Sequence, residues 1–348
     1  MDKSNFPIVY YRMPHQIEAW FIQSESKPVV LDSLKNVPPK SGYIIYPFNP
    51  DGDCKVYFIQ ADKHVCKTPE ELEADVSSSY NNWIIKDSLA LNIMSKSKDA
   101  YCNMVTSAVN EIKAGSLQKV VLSRTESIEN TSHNNPVKVF QKLCTKYPSA
   151  FVSLVYIPDE LLWITTTPEL LVSEHRNKIK TVSLAGTKPF DSDEEWGAKE
   201  KKEQDVVTEY IQEILKKYCE NIMVSFPEEV IAGNLKHLIT HFSATLKTDV
   251  WTLVSSLHPT PAVCGMPLNE AKKFILETEG YHRKYYSGFL GPCNVDGNID
   301  LFVNLRCAEI FSNAINLYIG GGITKDSIPE KEWEETEMKK KTLLYAFE

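Results

Sequence analysis

The sequence reads as an α+β protein. Short β-branched and aromatic runs, bounded by Gly, Pro, Asn and Asp, make up most of the chain. Other stretches repeat apolar residues at helical spacing. The 348 residues, 43% hydrophobic and 24% charged, suffice for one large soluble unit or two ordinary ones. Residues 1–85 are expected to be a strand-rich scaffold and 86–348 the part that holds the chemistry, the two forming one continuous globular unit.

In the scaffold, strand-like runs at 42–48 (GYIIYPF) and 55–60 (KVYFIQ) are broken by turn signals at 37–41 and 49–53. A helical pattern runs from about Asp87 to Ala114 and stops at Gly115. KVVLSR at 119–124 is a β-branched strand. Its Lys119 is an exposed edge residue, or a base if the strand enters a pocket where desolvation or a neighbouring cation eases loss of an ammonium proton. A helix at 137–147 precedes strands at 150–157 and 161–167. Glu169, after Pro168 at a strand break, is either a surface turn residue or an acid aimed at a leaving group.

The strand TVSLAGT at 181–187 closes on Gly186, where backbone can approach a ligand closely. The helix from about 194 to 218 has an apolar stripe of Val206, Val207, Tyr210, Ile211, Ile214 and Leu215. Extended back one turn, the stripe reaches Glu203. A core-facing acid needs a cation, a metal ion or a hydrogen-bond network, unless it merely edges the stripe near the helix start.

Strands follow at 229–232 and 235–246. His237 and His241 in the latter are too far apart on a strand to form a zinc pair. HPTPA at 258–262 is a loop held extended by two prolines, suited to placing backbone amides and His258 around a ligand. A helix at 267–279 leads to strands at 285–290 and 299–310, the second carrying Arg306. IGGGIT at 319–324 reads as a glycine turn before a charged helix. Ser327 and Glu330 have capping-box spacing, and Pro329 suits the first turn. On that helix Glu335 and Lys339 share a face. They are either a solvated pair or a carboxylate and an ammonium facing a glycine floor whose N–H groups could hold an anion.

A net charge of −8 and the lack of a basic run with interleaved aromatics argue against nucleic acid as a partner. The opening MDKSNFPIVYYRMP lacks the apolar core of a signal peptide, and no stretch approaches a membrane span. Eight scattered cysteines without a CxxC pair fit reduced thiols in a cytoplasmic protein.

In order, KVVLSR, TPELL, LAGT, LHPTPAV, LRCAEI, GGGI and SIPEKEWEETEMKKK resemble the motif series of the chorismate-utilising enzymes, and among them most closely the isochorismate synthases. The resemblance covers about residues 90–348. It implies large antiparallel sheets stacked together and surrounded by helices, with the active site between them. It also implies chorismate as substrate, a magnesium ion on the ring carboxylate, and a product that feeds menaquinone or siderophore biosynthesis. By the same resemblance Lys119 is the base that activates water and Glu169 the acid that assists departure of the ring hydroxyl. Glu203 and Glu335 hold the metal. Arg306, Gly320, Gly322 and Lys339 grip the substrate carboxylates, and Gly186, Thr187, His258 and Ala262 form the ring pocket. Gln204 stands where the family usually has histidine, which leaves Asp205 as an alternative to Glu203, and Cys264 is a second departure. Salicylate synthase, which goes on to expel pyruvate, and a ligand-binding relative without catalysis stay open as alternatives. The chain is expected to be a monomer or weak homodimer.

Overall fold

The computed structural model of the chain describes residues 6–52, 54–77, 83, 95–130, 134–233 and 235–348. The strands of its first half are β1 (Ile8–Arg12), β2 (Ala19–Gln23), β3 (Val29–Leu31), β4 (Gly42–Tyr46), β5 (Val56–Gln60), β6 (Lys63–Lys67), β7 (Lys119–Glu129), β8 (Phe151–Ile157), β9 (Leu161–Thr167) and β10 (Leu170–His175). The second half adds β11 (Lys178–Pro189), β12 (Cys219–Val224), β13 (Glu228–Ala232), β14 (Leu235–Leu246), β15 (Gly265–Met266), β16 (Phe289–Val295), β17 (Asn298–Val303), β18 (Cys307–Ile310) and β19 (Ala314–Ile323). The helices are α1 (Pro69–Ser77), α2 (Lys98–Ala114), α3 (Pro136–Lys146), α4 (Ala198–Tyr218), α5 (Val250–Leu257), α6 (Leu268–Thr278) and α7 (Pro329–Phe347).

These strands form two antiparallel sheets. The first has nine strands in the order β15-β7-β19-β18-β9-β8-β1-β2-β6. The second has ten, in the order β12-β14-β11-β10-β17-β16-β4-β5-β3, with β13 also on β14. The period-2 alternation of buried strands explains the layers. In β1, Val9 and Tyr11 face the core between the sheets, while Ile8 and Tyr10 face the helices outside. In β8, Phe151 and Val155 likewise point inward, and Val152 and Leu154 outward. Phe151 of the first sheet stacks on Phe302 of the second, with ring centroids 4.0 Å apart. Helix α3 and the end of α7 cover the outer face of the first sheet through Phe140, Leu143 and Leu343. Helices α4 and α5 cover the second through Val207, Ile211, Leu215 and Leu253. The result is a helix–sheet–sheet–helix sandwich. No helix among the described residues is long and apolar enough to cross a membrane.

Most expected elements are present, and the departures have physical causes. The helix expected from about Asp87 begins at Lys98, where Ser97 accepts from the Ala100 N–H, and it ends before Gly115 at φ 89°. Residues 87–94 of that expectation lie outside the described residues. The strand expected at 299–310 is two strands, because the chain leaves the second sheet after Val303 and enters the first at Cys307. Arg306 sits in that passage at φ 47° rather than on a strand. Residues 285–288, expected as strand, are a turn ahead of β16. The glycines of IGGGIT are not a turn: they lie in β19, where Gly320, Gly321 and Gly322 pair with Ser123, Leu122 and Val121 of β7. Helix α7 starts with Pro329 in its first turn, but its cap residue is Ile328. The Ser327 hydroxyl accepts instead from the Thr324 N–H at 3.0 Å, so the capping box does not form.

Candidate active site

The chain passes between the two sheets at two neighbouring places. At the first, Pro168 and Glu169 join β9 to β10; at the second, residues 304–306 join β17 to β18. The passages are tied together by Val303 N–H to Glu169 O (3.0 Å) and Thr166 N–H to Arg306 O (3.1 Å). A cleft of about 990 Å³, counting the solvent at its mouth, opens beside them. Ends of β7, β11 and β19 and faces of α4 and α7 complete it.

Its floor is β19. Val121 and Ser123 of β7 direct their N–H and C=O groups away from β19, toward Cys264, Arg283 and Glu279. In an antiparallel ladder this makes Val121–Gly322 and Ser123–Gly320 the non-hydrogen-bonded pairs, so Gly320 and Gly322 turn their own N–H and C=O to the opposite edge. That edge has no strand partner beyond Tyr318 among the described residues. Lys339 Nζ confirms the direction by donating to Gly320 O at 2.9 Å. The glycines are required by crowding: a Cβ on Gly322 would collide with Glu203 Oε1, and one on Gly320 would lie 2.5 Å from the Tyr286 hydroxyl.

Carboxylates and ammonium groups alternate over this floor. Lys119, 2% exposed, places Nζ 2.7 Å from Glu203 Oε1. The contact is one of charge, since Lys119 Nζ makes no well-directed hydrogen bond with any described residue. Lys339 lies 2.7 Å from Glu335 Oε1, and Lys199 3.0 Å from Glu332 Oε1. Burial works against the Glu203 carboxylate, but Lys119, Lys199 and Lys339 outweigh it and hold the group below the usual carboxylate range. Burial and the nearby Glu335 push Glu332 up. Lys199 is raised, because Glu332, Glu335 and Glu203 overcome its burial.

Local sequence explains how these side chains arrive. Glu203 faces the cleft because the next residue, Gln204, is the one buried against the sheet, where its Nε2 donates to Ser183 Oγ (2.9 Å) and Thr240 Oγ1 (3.1 Å). Asp205 is exposed, whereas Glu203 lines the cleft. Helix α7 is clamped to β7 by Arg124. Its Nε donates to Thr336 Oγ1 at 2.9 Å, its guanidinium lies 4.1 Å from the Trp333 ring centre, and it pairs with Glu126 and Glu337. That clamp turns Glu332, Glu335 and Lys339 toward the glycines.

On the other wall Glu169 is 3% exposed. Burial raises its carboxyl to about 8, against the opposing pull of Lys119 and Arg306. It is therefore protonated at neutral pH and able to donate. Arg306 donates through Nη1 to Ala232 O (3.0 Å) and through Nη2 to His237 Nε2 (3.0 Å). Burial, with Arg306 and Lys339 nearby, lowers His237 to about 3, so the ring is neutral. Its Nδ1–H donates to Gly186 O (3.0 Å), which leaves Nε2 as the acceptor for Arg306. Gly186 is at φ 68°.

Glu169, Gly186, Thr187, Glu203, Ala262, Arg306, Gly320, Gly322, Glu335 and Lys339 all line the cleft, and Lys119 reaches it through Glu203. His258 does not. Its ring packs edge-on against Tyr46 and Phe289, and Nε2 lies 3.2 Å from Pro47 O, so this imidazole belongs to the scaffold while Ala262 of the same loop reaches the cleft. Lys199 and Glu332 are not among the site residues expected from sequence, and His237 is weighed there only as a zinc ligand. Lys199 lies one helical turn before Glu203, and Glu332 one turn before Glu335, so helical spacing could have found both.

The donor set suits a hard divalent cation. Three carboxylates converge on bare backbone, with a Cβ position on Gly321 only 3.5 Å from Glu335 Oε1 and 3.8 Å from Glu332 Oε2. Each is now neutralised by a lysine. Among the described residues no group of three or more His, Cys, Asp or Glu side chains is placed to hold a metal ion. Magnesium does not need such a group, since it commonly takes one or two carboxylates and completes its shell with water and substrate.

A buried acid, a lysine and a strand edge without a partner among the described residues thus meet beside a crossover between two stacked sheets. Comparison with known proteins gives the family. A model of the chorismate binding enzymes matches residues 54–348, and the chain belongs to that family. It is 32% identical over 268 residues to the vibriobactin-specific isochorismate synthase of Vibrio cholerae, an alignment covering 73% of this chain and 68% of that one. It is 31% identical over 257 residues to isochorismate synthase EntC of Escherichia coli K12, covering 70% and 66%. The chain thus spans about two thirds of the length of these relatives. Its fold matches the structure of MenF, the menaquinone-specific isochorismate synthase of Escherichia coli, with a TM-score of 0.81 at 19% identity over 100% of this chain and 90% of the other.

Proposed function

We propose that this chain is an isochorismate synthase, adding water to one ring carbon of chorismate as the hydroxyl on another departs. The observation that carries the reading is a buried Glu169 lining a cleft whose Glu203 is in contact with the enclosed Lys119. Chorismate is a dianion. Arg306, Lys339 and the free-edge N–H groups of Gly320 and Gly322 supply the charge-assisted bonds that two carboxylates require. In its neutral form Lys119 Nζ would accept the proton of the attacking water, having first given up the ammonium proton that its contact with Glu203 favours. Glu169 gives its proton to the leaving hydroxyl, so a second water is released and the ring keeps its formula. Gly186, Thr187 and Ala262 pack beside the ring, and His237 keeps the Arg306 fork oriented.

Glu203 and Glu335 would hold a magnesium ion, with Glu332 beside them. When bound, such an ion would neutralise a ring carboxylate and withdraw charge as a Lewis acid. Lys119 and Lys339, the present partners of Glu203 and Glu335, would then be free to face substrate.

Incubating the protein with chorismate and magnesium, with and without a chelator, and separating the products tests the reading. Isochorismate that forms only without chelator is expected. Salicylate with pyruvate would reassign the product, and no turnover with water or ammonia would leave only a binding role.

A further inference from the structure

Among the described residues, no strand pairs with the far edge of β7 at Val121–Ser123. Strand β15 covers only Lys119 and Val120 there. The Val121 N–H is met by Cys264 O at 2.8 Å. The next two groups, Val121 C=O and Ser123 N–H, are met by a pair of side chains from the end of α6 and just beyond it. Arg283 Nη2 donates to Val121 O at 2.7 Å, and Glu279 Oε1 accepts from the Ser123 N–H at 2.6 Å. The two side chains also grip each other, Nε to Oε2 at 2.8 Å and Nη2 to Oε1 at 2.5 Å, with 2% and 1% of their area exposed.

The network extends to the loop beside the cleft. Arg283 Nη1 donates to Val263 O at 2.9 Å, next to the cleft-lining Ala262. The Ser123 hydroxyl donates to Glu279 Oε1 at 2.8 Å, so the Tyr281 hydroxyl, 2.6 Å away, must donate to Ser123. Neither Glu279 nor Arg283 lines the cleft. A buried ion pair is a weak source of stability, because desolvation offsets its attraction. What this pair supplies is a donor and an acceptor at strand spacing, which an apolar replacement would leave missing.

We infer that Glu279 and Arg283 are positioning residues for the reaction proposed above, acting as a side-chain substitute for a missing strand. By taking up Val121 C=O and Ser123 N–H they hold the phase of the β7–β19 ladder. That phase turns the N–H groups of Gly320 and Gly322 into the cleft and keeps Lys119 against Glu203. The same guanidinium fixes the loop that carries Ala262, so base, anion edge and ring wall move as one body.

The role rests on the functional reading above, and two measurements separate them. The variants are Glu279→Gln, which keeps acceptor and shape but loses the charge, and the milder Ser123→Ala. In hydrogen exchange, amides of residues 121–124 and 263–264 should exchange at least about ten-fold faster in Glu279→Gln, with β1 and β8 unchanged. In turnover of chorismate, kcat should fall about 10- to 100-fold, the scale of a small misplacement, while KM rises by much less than kcat falls, because the Gly320 and Gly322 edge shifts but Arg306 and Lys339 lie on other elements. Ser123→Ala should move both readouts the same way by about three-fold. Unchanged exchange, exchange that rises evenly over the whole chain, or KM rising in step with the loss of kcat would overturn the assignment. If Glu279→Gln fails to fold, Ser123→Ala decides by the same criteria. A wild-type protein that makes no isochorismate would refute the functional reading, and the exchange pattern would still judge the structural substitute.

Discussion

Glu169→Gln removes the proposed proton donor without changing the size of the cleft, and burial makes its effect on stability depend on pH. The wild-type carboxyl sits at about 8 in the fold against an ordinary 4.5. Between those values the folded protein keeps a proton that the unfolded chain has released. Wild-type stability from this group is therefore fully present below pH 4.5, falls by about 1.4 kcal/mol per pH unit as pH rises, and is gone above 8, for a total of about 5 kcal/mol. Glutamine does not titrate. Urea melts across this range should thus show the variant equal to wild type near the acid end and more stable by several kcal/mol near pH 8, with no further divergence above. Turnover of chorismate by the same variant at pH 7 should be lower by about 10²- to 10⁴-fold, the usual contribution of a general acid. A gain in stability with a loss of activity is what a catalytic group held in an unfavourable environment predicts. A stability difference that stays flat with pH would refute the raised carboxyl and, with it, the acid role.

Lys119→Ala should fold and lose at least about 10²-fold in kcat across the whole pH range; wild-type turnover would remove Lys119 as the base. Glu335→Gln should raise the magnesium concentration for half-maximal activity by about ten-fold or more, read from a metal titration; an unchanged curve would show that α7 is no part of a metal site. Gly322→Ala places a Cβ against Glu203 Oε1 and 3.3 Å from Lys119 Cε, so it should cost about 1–3 kcal/mol of stability and about 10²-fold in kcat/KM, measured by melting and initial rates.

The lining of the cleft was legible wherever its signal was local. A β-branched run placed Lys119 on a strand, Pro168 marked the break that presents Glu169, and the apolar stripe of α4 led back to Glu203. The helical spacing of Glu335 and Lys339 put them on one face. What could not be read was set by distant contacts. Arg306 leaves the strand pattern only because two sheets meet there, and nothing within a few residues announces the φ of 47°. The three glycines resemble a turn until β7 is seen beside them. Ser327 had the spacing of a cap, but its hydroxyl is taken by Thr324. His258 and His237 exchanged significance: the loop histidine faces Tyr46 and Phe289, while the strand histidine, neutral and bonded to Gly186 O, supports Arg306. Burial across the sandwich decides that choice, and one strand's sequence does not contain it.

The most direct test of water addition across a lysine–glutamic acid pair is turnover of chorismate in water enriched in oxygen-18, with magnesium present and the product weighed by mass spectrometry. Isochorismate carrying one solvent oxygen in its new hydroxyl is expected, with the label absent in Lys119→Ala. Isochorismate without label would mean that the substrate's own hydroxyl migrates, and an aminated product in the presence of ammonia would mean that the cleft selects a different nucleophile.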